Sequence, residues 1–121
     1  MAHGKNHHQI SYIEFGATNI EKAKKFFSTA FHWTFQDWGP DYTSFSAYEA
    51  GLSGGFRRIE PGETTGAAAP LVVLYSSDLK STEAAIAAAG GAITIPIFEF
   101  PGGRRFHFSD GVGNTLAVWS E

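Results

Sequence analysis

The residues able to do chemistry in this chain of 121 are few, and they fall near its two ends. Near the start, Tyr12 and Glu14 alternate with Ile13 and Phe15 in the stretch ISYIEF. Near the end, Arg105 and His107 alternate with Phe106 and Phe108, and Thr115, Ala117 and Trp119 alternate through the closing TLAVW. A period of two puts each such set on one face of a β-strand. A carboxylate and an imidazole can exchange protons with a bound molecule, while a guanidinium can grip a carboxylate or phosphate through two parallel hydrogen bonds. Each residue also has a plainer role. Glu14 can pair with Arg105 or His107, because a buried carboxylate without a partner is costly. His107 can be a hydrogen-bonded core histidine, Arg105 can sit in a structural ion pair, and Tyr12 and Trp119 can simply pack.

These residues are set by a pattern that occurs twice. An apolar strand runs into a polar cap, then an amphipathic helix, then further strands. The first copy reads ISYIEF, TNIEKAKKFFSTAF and HWTF; the second reads PLVVLY, SDLKSTEAAIAAAGG and AITIPIFEF. Asn19 and Asp78 hold the same place at the two helix entries. Thr18 and Glu21 have capping-box spacing, and Ile20, Ala23, Phe27, Ala30 and Phe31 mark the apolar face of the first helix, with Lys22, Lys24 and Lys25 left to water. Strands are expected from His32, over Thr43–Glu49 and over Leu52–Ile59, the last two joined by a hairpin at Glu49-Ala50-Gly51. The stretch 60–70 is rich in Gly, Pro and Thr and reads as a linker. In the second copy Ser77 or Asp78 caps a helix through Ala89, with Leu79, Ile86 and Ala89 inward and Gly90-Gly91 ending it. Pro96 marks residues 92–100 as an edge or bulged strand. Each half is therefore β-α-β-β-β: module one spans 9–60 and module two 71–120 of a single domain.

Composition narrows the function classes. The formal net charge of −3 gives no electrostatic case for nucleic acid or an acidic membrane. There is no cysteine, which excludes disulfides, thiolate metal sites and a cysteine nucleophile, and fits a reducing, cytoplasmic setting. No stretch is long enough to span a membrane. The start, with His3, His7 and His8, reads as a loose polar leader. Gly54-Gly55 and Gly102-Gly103 precede no helix, so they read as bulges or turns.

The doubled β-α-β-β-β pattern, with NIEKAKKFF before FHWTF and the closing FHFSDGVGNTLAVW, resembles the vicinal oxygen chelate superfamily. That group includes glyoxalase I, extradiol dioxygenases, and fosfomycin- and bleomycin-resistance proteins. The likeness runs from Ile10 to Trp119, and GGRRFHFSDGVGN is similar to an uncharacterised glyoxalase-related bacterial subgroup. The resemblance implies an α+β fold in which two βαβββ modules form paired incomplete barrels around a ligand. It also implies metal-ligand positions near Tyr12 and Val72, on the strand Leu52–Arg57 and at Ala117. None of these carries the His, Gln or Glu that the metal enzymes of the superfamily place there. No cofactor is therefore expected. A site of unfamiliar layout from His8, Glu14 and His107 is the alternative that would hold a divalent metal.

The implied cavity would be lined by Tyr12, Glu14, Phe56, Arg105, His107 and Trp119. The expected function is metal-independent binding or sequestration of a small aromatic or carboxylate-bearing molecule, as bleomycin-resistance proteins hold a ligand without chemistry. The alternative is an enzyme of lyase or isomerase type with Glu14 and His107 as proton carriers. Relatives commonly dimerise, so a homodimer is expected, with Trp33, Trp38 and Tyr42 as candidate interface aromatics.

Overall fold

A computed structural model describes residues 6–60 and 70–121. Its elements run β1 (Ile10–Ala17), α1 (Ile20–Phe31), β2 (Phe35–Asp37), β3 (Tyr42–Phe45), α2 (Ala47–Ala50), β4 (Gly54–Arg58), β5 (Leu71–Tyr75), α3 (Leu79–Ala88), β6 (Ala92–Phe100), β7 (Gly103–Ser109) and β8 (Thr115–Ser120). This is a mixed α+β fold of two βαβββ modules, with one addition: the turn α2 stands where a tight hairpin was expected. Ser46 to Gly51 closes as a single helical turn, with Gly51 left-handed at φ 88° and its N–H bonded to the Ala47 carbonyl. The strands on either side are correspondingly shorter, and β2 begins at Phe35 rather than His32. His3 and nearly all of the 60–70 linker lie outside the described residues.

The described chain divides into two compact units, residues 12–60 in one and residues 6–11 and 71–121 in the other. In the first, the strand order is β2-β3-β4-β1. β4 lies parallel to β1 with Phe56 beside Phe15 and Gly55 beside Glu14, and antiparallel to β3 with Phe56 beside Thr43. One face carries Ile13, Phe15, Phe45 and Phe56 and packs on Ile20, Ala23 and Phe27 of α1. The rings interlock: Phe56 has centroids of Phe15 at 5.4 Å, Phe27 at 5.3 Å and Phe45 at 5.9 Å. Burying one such ring contributes roughly 1.5–3 kcal/mol, so this cluster decides which face of each strand turns inward.

Helix α1 starts one residue later than the capping box predicts. Asn19 is the cap, extended at φ −146°, and its side chain accepts the Lys22 N–H; Thr18 is exposed. The helix ends at His32, left-handed at φ 62°. Ala30 and Phe31 belong to the exposed side, because the core stripe closes at Phe27 and Trp33 takes the next packing position. Lys24 is not left to water: its ammonium lies 2.9 Å from Asp37 and ties α1 to β2.

In the second unit the order is β5-β8-β7-β6. Leu79, Phe106 and Val118 form its buried centre, joined by Leu74, Ile86, Ile93, Ile97 and Phe108. Asp78 caps α3 by accepting the Ser81 N–H. Thr82 is buried in place of Ala89, which sits exposed at the end of the helix just before Gly90 turns at φ 99°. Pro96 lies on an edge strand that is also bulged: the pairing with β7 shifts between Ile93 and Ile95 and again between Ile95 and Phe98.

The end of the leader is pinned rather than loose. The His8 N–H bonds to the Tyr75 carbonyl, and the Tyr75 N–H to the Gln9 carbonyl. The His7 Nδ1 accepts the Ser77 N–H at 3.0 Å, and the His8 Nε2 lies 3.0 Å from the Thr82 hydroxyl, so both imidazoles dock at the start of α3.

Gly54 carries the tightest backbone approach in the first unit. A Cβ there would strike the Ile13 carbonyl and lie 2.6 Å from the Phe45 ring. Gly54→Ala should destabilise the protein by about 1–3 kcal/mol, the usual cost of overpacking, read from denaturant melts. A melt unchanged from wild type would show that β4 and β1 are not this close.

Candidate functional site

The faces opposite the two aromatic clusters hold the residues singled out by their chemistry. In the first unit that face carries Tyr12 and Glu14 of β1, Tyr42 and Ser44 of β3, and Gly55 and Arg57 of β4. Glu14 is 9% exposed. Its Oε2 accepts a 2.9 Å hydrogen bond from the Tyr42 hydroxyl, whose oxygen lies 2.6 Å from that of Tyr12. A phenol has one proton, so when Tyr42 donates to Glu14 it must accept from Tyr12. Gly55 makes this reach possible. Tyr42 sits one strand beyond β4, and a Cβ on Gly55 would collide with its hydroxyl. Burial first, then the Glu14 carboxylate and Tyr12, holds the Tyr42 hydroxyl far above the usual tyrosine range, so it stays a donor.

Glu14 thus finds partners within its own module rather than in Arg105 or His107. The second is Arg57, whose Nε lies 3.9 Å from Oε1 and which is 46% exposed. Neither Tyr42, expected at an interface, nor Arg57 is marked by the sequence as a partner of Glu14. Arg57 looks like half of a solvated Arg-Arg pair, and Tyr42 like a turn aromatic. The available signal was alternation: Tyr42 follows the Gly39-Pro40-Asp41 turn at the start of a strand, and Arg57 falls two residues after the glycine beside Glu14. Phe56 does not join this face. Its register with Phe15 turns it into the α1 core, 5% exposed, so it cannot floor a ligand site.

In the second unit, Phe106 and Phe108 point to the α3 side, and Arg105 and His107 share the opposite face with Ala117 and Trp119. The two bulges in β6 add Phe98 to that face, since Phe98 pairs with Arg105 while Ile97 stays in the core. The Arg105 guanidinium lies 5.4 Å from the ring centres of both Phe98 and Phe100. The His107 ring stacks on Phe98 at 5.9 Å, and Trp119 meets Phe100 edge-on at 6.4 Å. The Trp119 indole N–H is given to the Ser11 hydroxyl at 2.8 Å, which fixes the ring. Two polar atoms on this face are buried without a hydrogen-bond partner among the described residues: Arg105 Nε and His107 Nε2. Burial, and then the positive charge of Arg105, pull the His107 pKa below the usual histidine value of 6.5, which favours the neutral ring.

The donor set does not fit a glyoxalase-type metal centre. Ala117, fully buried opposite His107, and Val72 offer no donor atom, and β4 from Gly54 to Arg58 has no carboxylate. Among the described residues no three His, Asp or Glu side chains gather where an ion could be held. His8, a candidate ligand by sequence, has its Nε2 against Thr82. No helix among them is long and apolar enough to cross a membrane.

No protein-family model matches the chain, and no curated protein matches its sequence. The architecture is nonetheless that of the glyoxalase fold, shared by proteins of the vicinal oxygen chelate type. A hypothetical protein from Bacillus halodurans superposes with a TM-score of 0.74 at 8% identity, covering 96% of both chains. Methylmalonyl-CoA epimerase from Mycobacterium tuberculosis gives 0.69 at 8% identity, over 92% of this chain and 86% of that one. The Mn(II)-bound glyoxalase from Novosphingobium aromaticivorans gives 0.67 at 18% identity, over 93% of this chain but 38% of its own. At these identities the likeness is one of fold.

His107 makes stability depend on pH. A histidine neutral in the fold but free to protonate when unfolded binds fewer protons in the native state below pH 6.5, so stability falls as pH drops through that value. His107→Gln should flatten this decline relative to wild type in denaturant melts taken from neutral to mildly acidic pH. Parallel curves for the two proteins would show that His107 is not held neutral.

Proposed function

We propose that this protein binds a small molecule without a metal ion, using the face of Arg105, His107, Phe98, Phe100 and Trp119. The observation that carries the reading is the pair of buried, unpartnered atoms Arg105 Nε and His107 Nε2 on an aromatic strand face. An unmade hydrogen bond at a buried polar group costs about 1–3 kcal/mol, a cost that a ligand oxygen placed there removes. The flanking rings offer the flat apolar surface that small-molecule sites commonly present. A carboxylate-bearing aromatic compound satisfies both features. An enzyme of lyase or isomerase type with Glu14 and His107 as proton carriers draws less support, because Tyr42 and Arg57 already engage Glu14.

The reading extends to a cytoplasmic homodimer, supported by the cysteine-free sequence and by exposed Phe26, Phe31 and Trp38. Trp33 and Tyr42 leave the list of interface candidates, since one packs in the α1 core and the other serves Glu14. Light scattering should give twice the 13.1 kDa chain mass; the monomer mass would remove the dimer.

Benzoate is the simplest probe of binding. It should give saturable calorimetric binding in EDTA, unaltered by added Mn(II), and Arg105→Gln should weaken it by roughly tenfold or more, as loss of a charge-assisted hydrogen bond implies. Absence of saturable binding, or a requirement for the metal, would overturn the proposal.

A further inference from the structure

The two unpartnered atoms lie on side chains two residues apart on β7, with Cα atoms roughly 6–7 Å from each other. Both side chains rest on one ring, that of Phe98: the guanidinium at 5.4 Å and the imidazole stacked at 5.9 Å. A shared support makes the two groups converge. Arg105 Nε has one proton to give and no acceptor among the described residues. The neutral His107 ring carries one proton on either nitrogen, so its Nε2 becomes a certain donor only when the ring is protonated.

We propose that Arg105 and His107 form a two-pronged clamp for a ligand carboxylate, and that His107 takes up a proton from solvent as the ligand binds. This rests on the binding reading above and adds the chemistry of the head group and its pH dependence. In the complex, Arg105 Nε–H donates to one carboxylate oxygen and the protonated His107 Nε2–H to the other. No bond is made or broken beyond the proton gained by the imidazole.

The electrostatic surroundings support the linkage. Among the described residues flanking His107, β6 offers Ile95 and Phe98, and β8 offers Ala117, none of them charged. Arg105, on His107's own strand, is the charged group beside it, and it disfavours a second positive charge. Glu99 of β6 pairs in the ladder with Arg104 rather than Arg105, and the Glu121 carboxylate after β8 accepts the Tyr75 hydroxyl. A bound carboxylate cancels the Arg105 charge and adds an acceptor for the imidazolium. The His107 pKa therefore rises on binding, and by linkage the affinity for an anion rises as pH falls.

The test is benzoate calorimetry near the ordinary histidine value of pH 6.5, in two buffers of different protonation heat, MES and Bis-Tris. The expected result is a binding heat that differs between the buffers, corresponding to net proton uptake, with affinity rising roughly three- to tenfold from about pH 7.5 to about pH 5.5, where benzoate stays ionised. His107→Gln should still bind but lose the buffer dependence, and Arg105→Gln should weaken binding at every pH. Saturable binding with equal heats in both buffers, or a buffer dependence that survives in His107→Gln, overturns the clamp and leaves the binding reading standing. No saturable binding at all overturns the reading on which the clamp depends. The wild-type comparison between buffers decides the outcome even if a variant fails to fold.

Discussion

The organisation of each module depends on one buried aromatic residue, Phe56 in the first and Phe106 in the second. Side chains alternate across a strand, so a ring committed to the helix side commits its neighbours to the other side. Phe56 at 5% exposure forces Gly55 and Arg57 outward; Phe106, fully buried, forces Arg105 and His107 outward. A slip of one residue in either strand would bury the charged groups and expose the rings, at a cost of several kcal/mol in each direction. The polar faces are thus placed by the cores, and no polar interaction is needed to explain where they lie.

The two modules then treat their polar faces differently. In the first, a glycine in β4 clears the way for a tyrosine on β3 to reach a carboxylate on β1, and a second tyrosine completes the line. Within this network Glu14 is held by the Tyr42 hydroxyl and by the Arg57 guanidinium. In the second, bulges in β6 bring Phe98 beneath Arg105 and His107 but supply no acceptor. Cation–π contact with two rings returns about 0.5–1 kcal/mol each, less than a satisfied charged hydrogen bond. A closed network stabilises a fold, whereas an open one favours a third participant.

Much of this was legible in the sequence, and the failures have physical causes. The doubled pattern showed the order of strands and helices because strand and helix periods are strong over eight to twelve residues. The outward placement of Arg105 and His107 followed from the same alternation. What could not be read was pairing between strands. Phe56 and Glu14 both look inward on their own strands, and only the parallel register of β1 with β4 separates them onto opposite faces. The partner of Glu14 was missed for the same reason, since Tyr42 is 28 residues away and reaches it across an intervening strand. Local competition explains the rest: Asn19 displaced Thr18 as cap, and the residues after Phe45 closed into a helical turn where a tight hairpin looked sufficient.

The absence of donor atoms at Val72 and Ala117 and the presence of unsatisfied ones at Arg105 and His107 belong together. His107 and Ala117 are direct cross-strand partners, so the position opposite the imidazole is filled by the smallest side chain with a Cβ. A larger residue there would crowd the His107 ring, and a carboxylate would pair with it and consume the free Nε2. With alanine the imidazole keeps its room and its unmet hydrogen bond, while burial first and then the nearby guanidinium favour its neutral form. A cation at this face would meet the positive charge of Arg105, whereas an anion would meet the unpartnered Arg105 Nε and His107 Nε2. The charge of Arg105 on this strand face would favour an anion over a cation there.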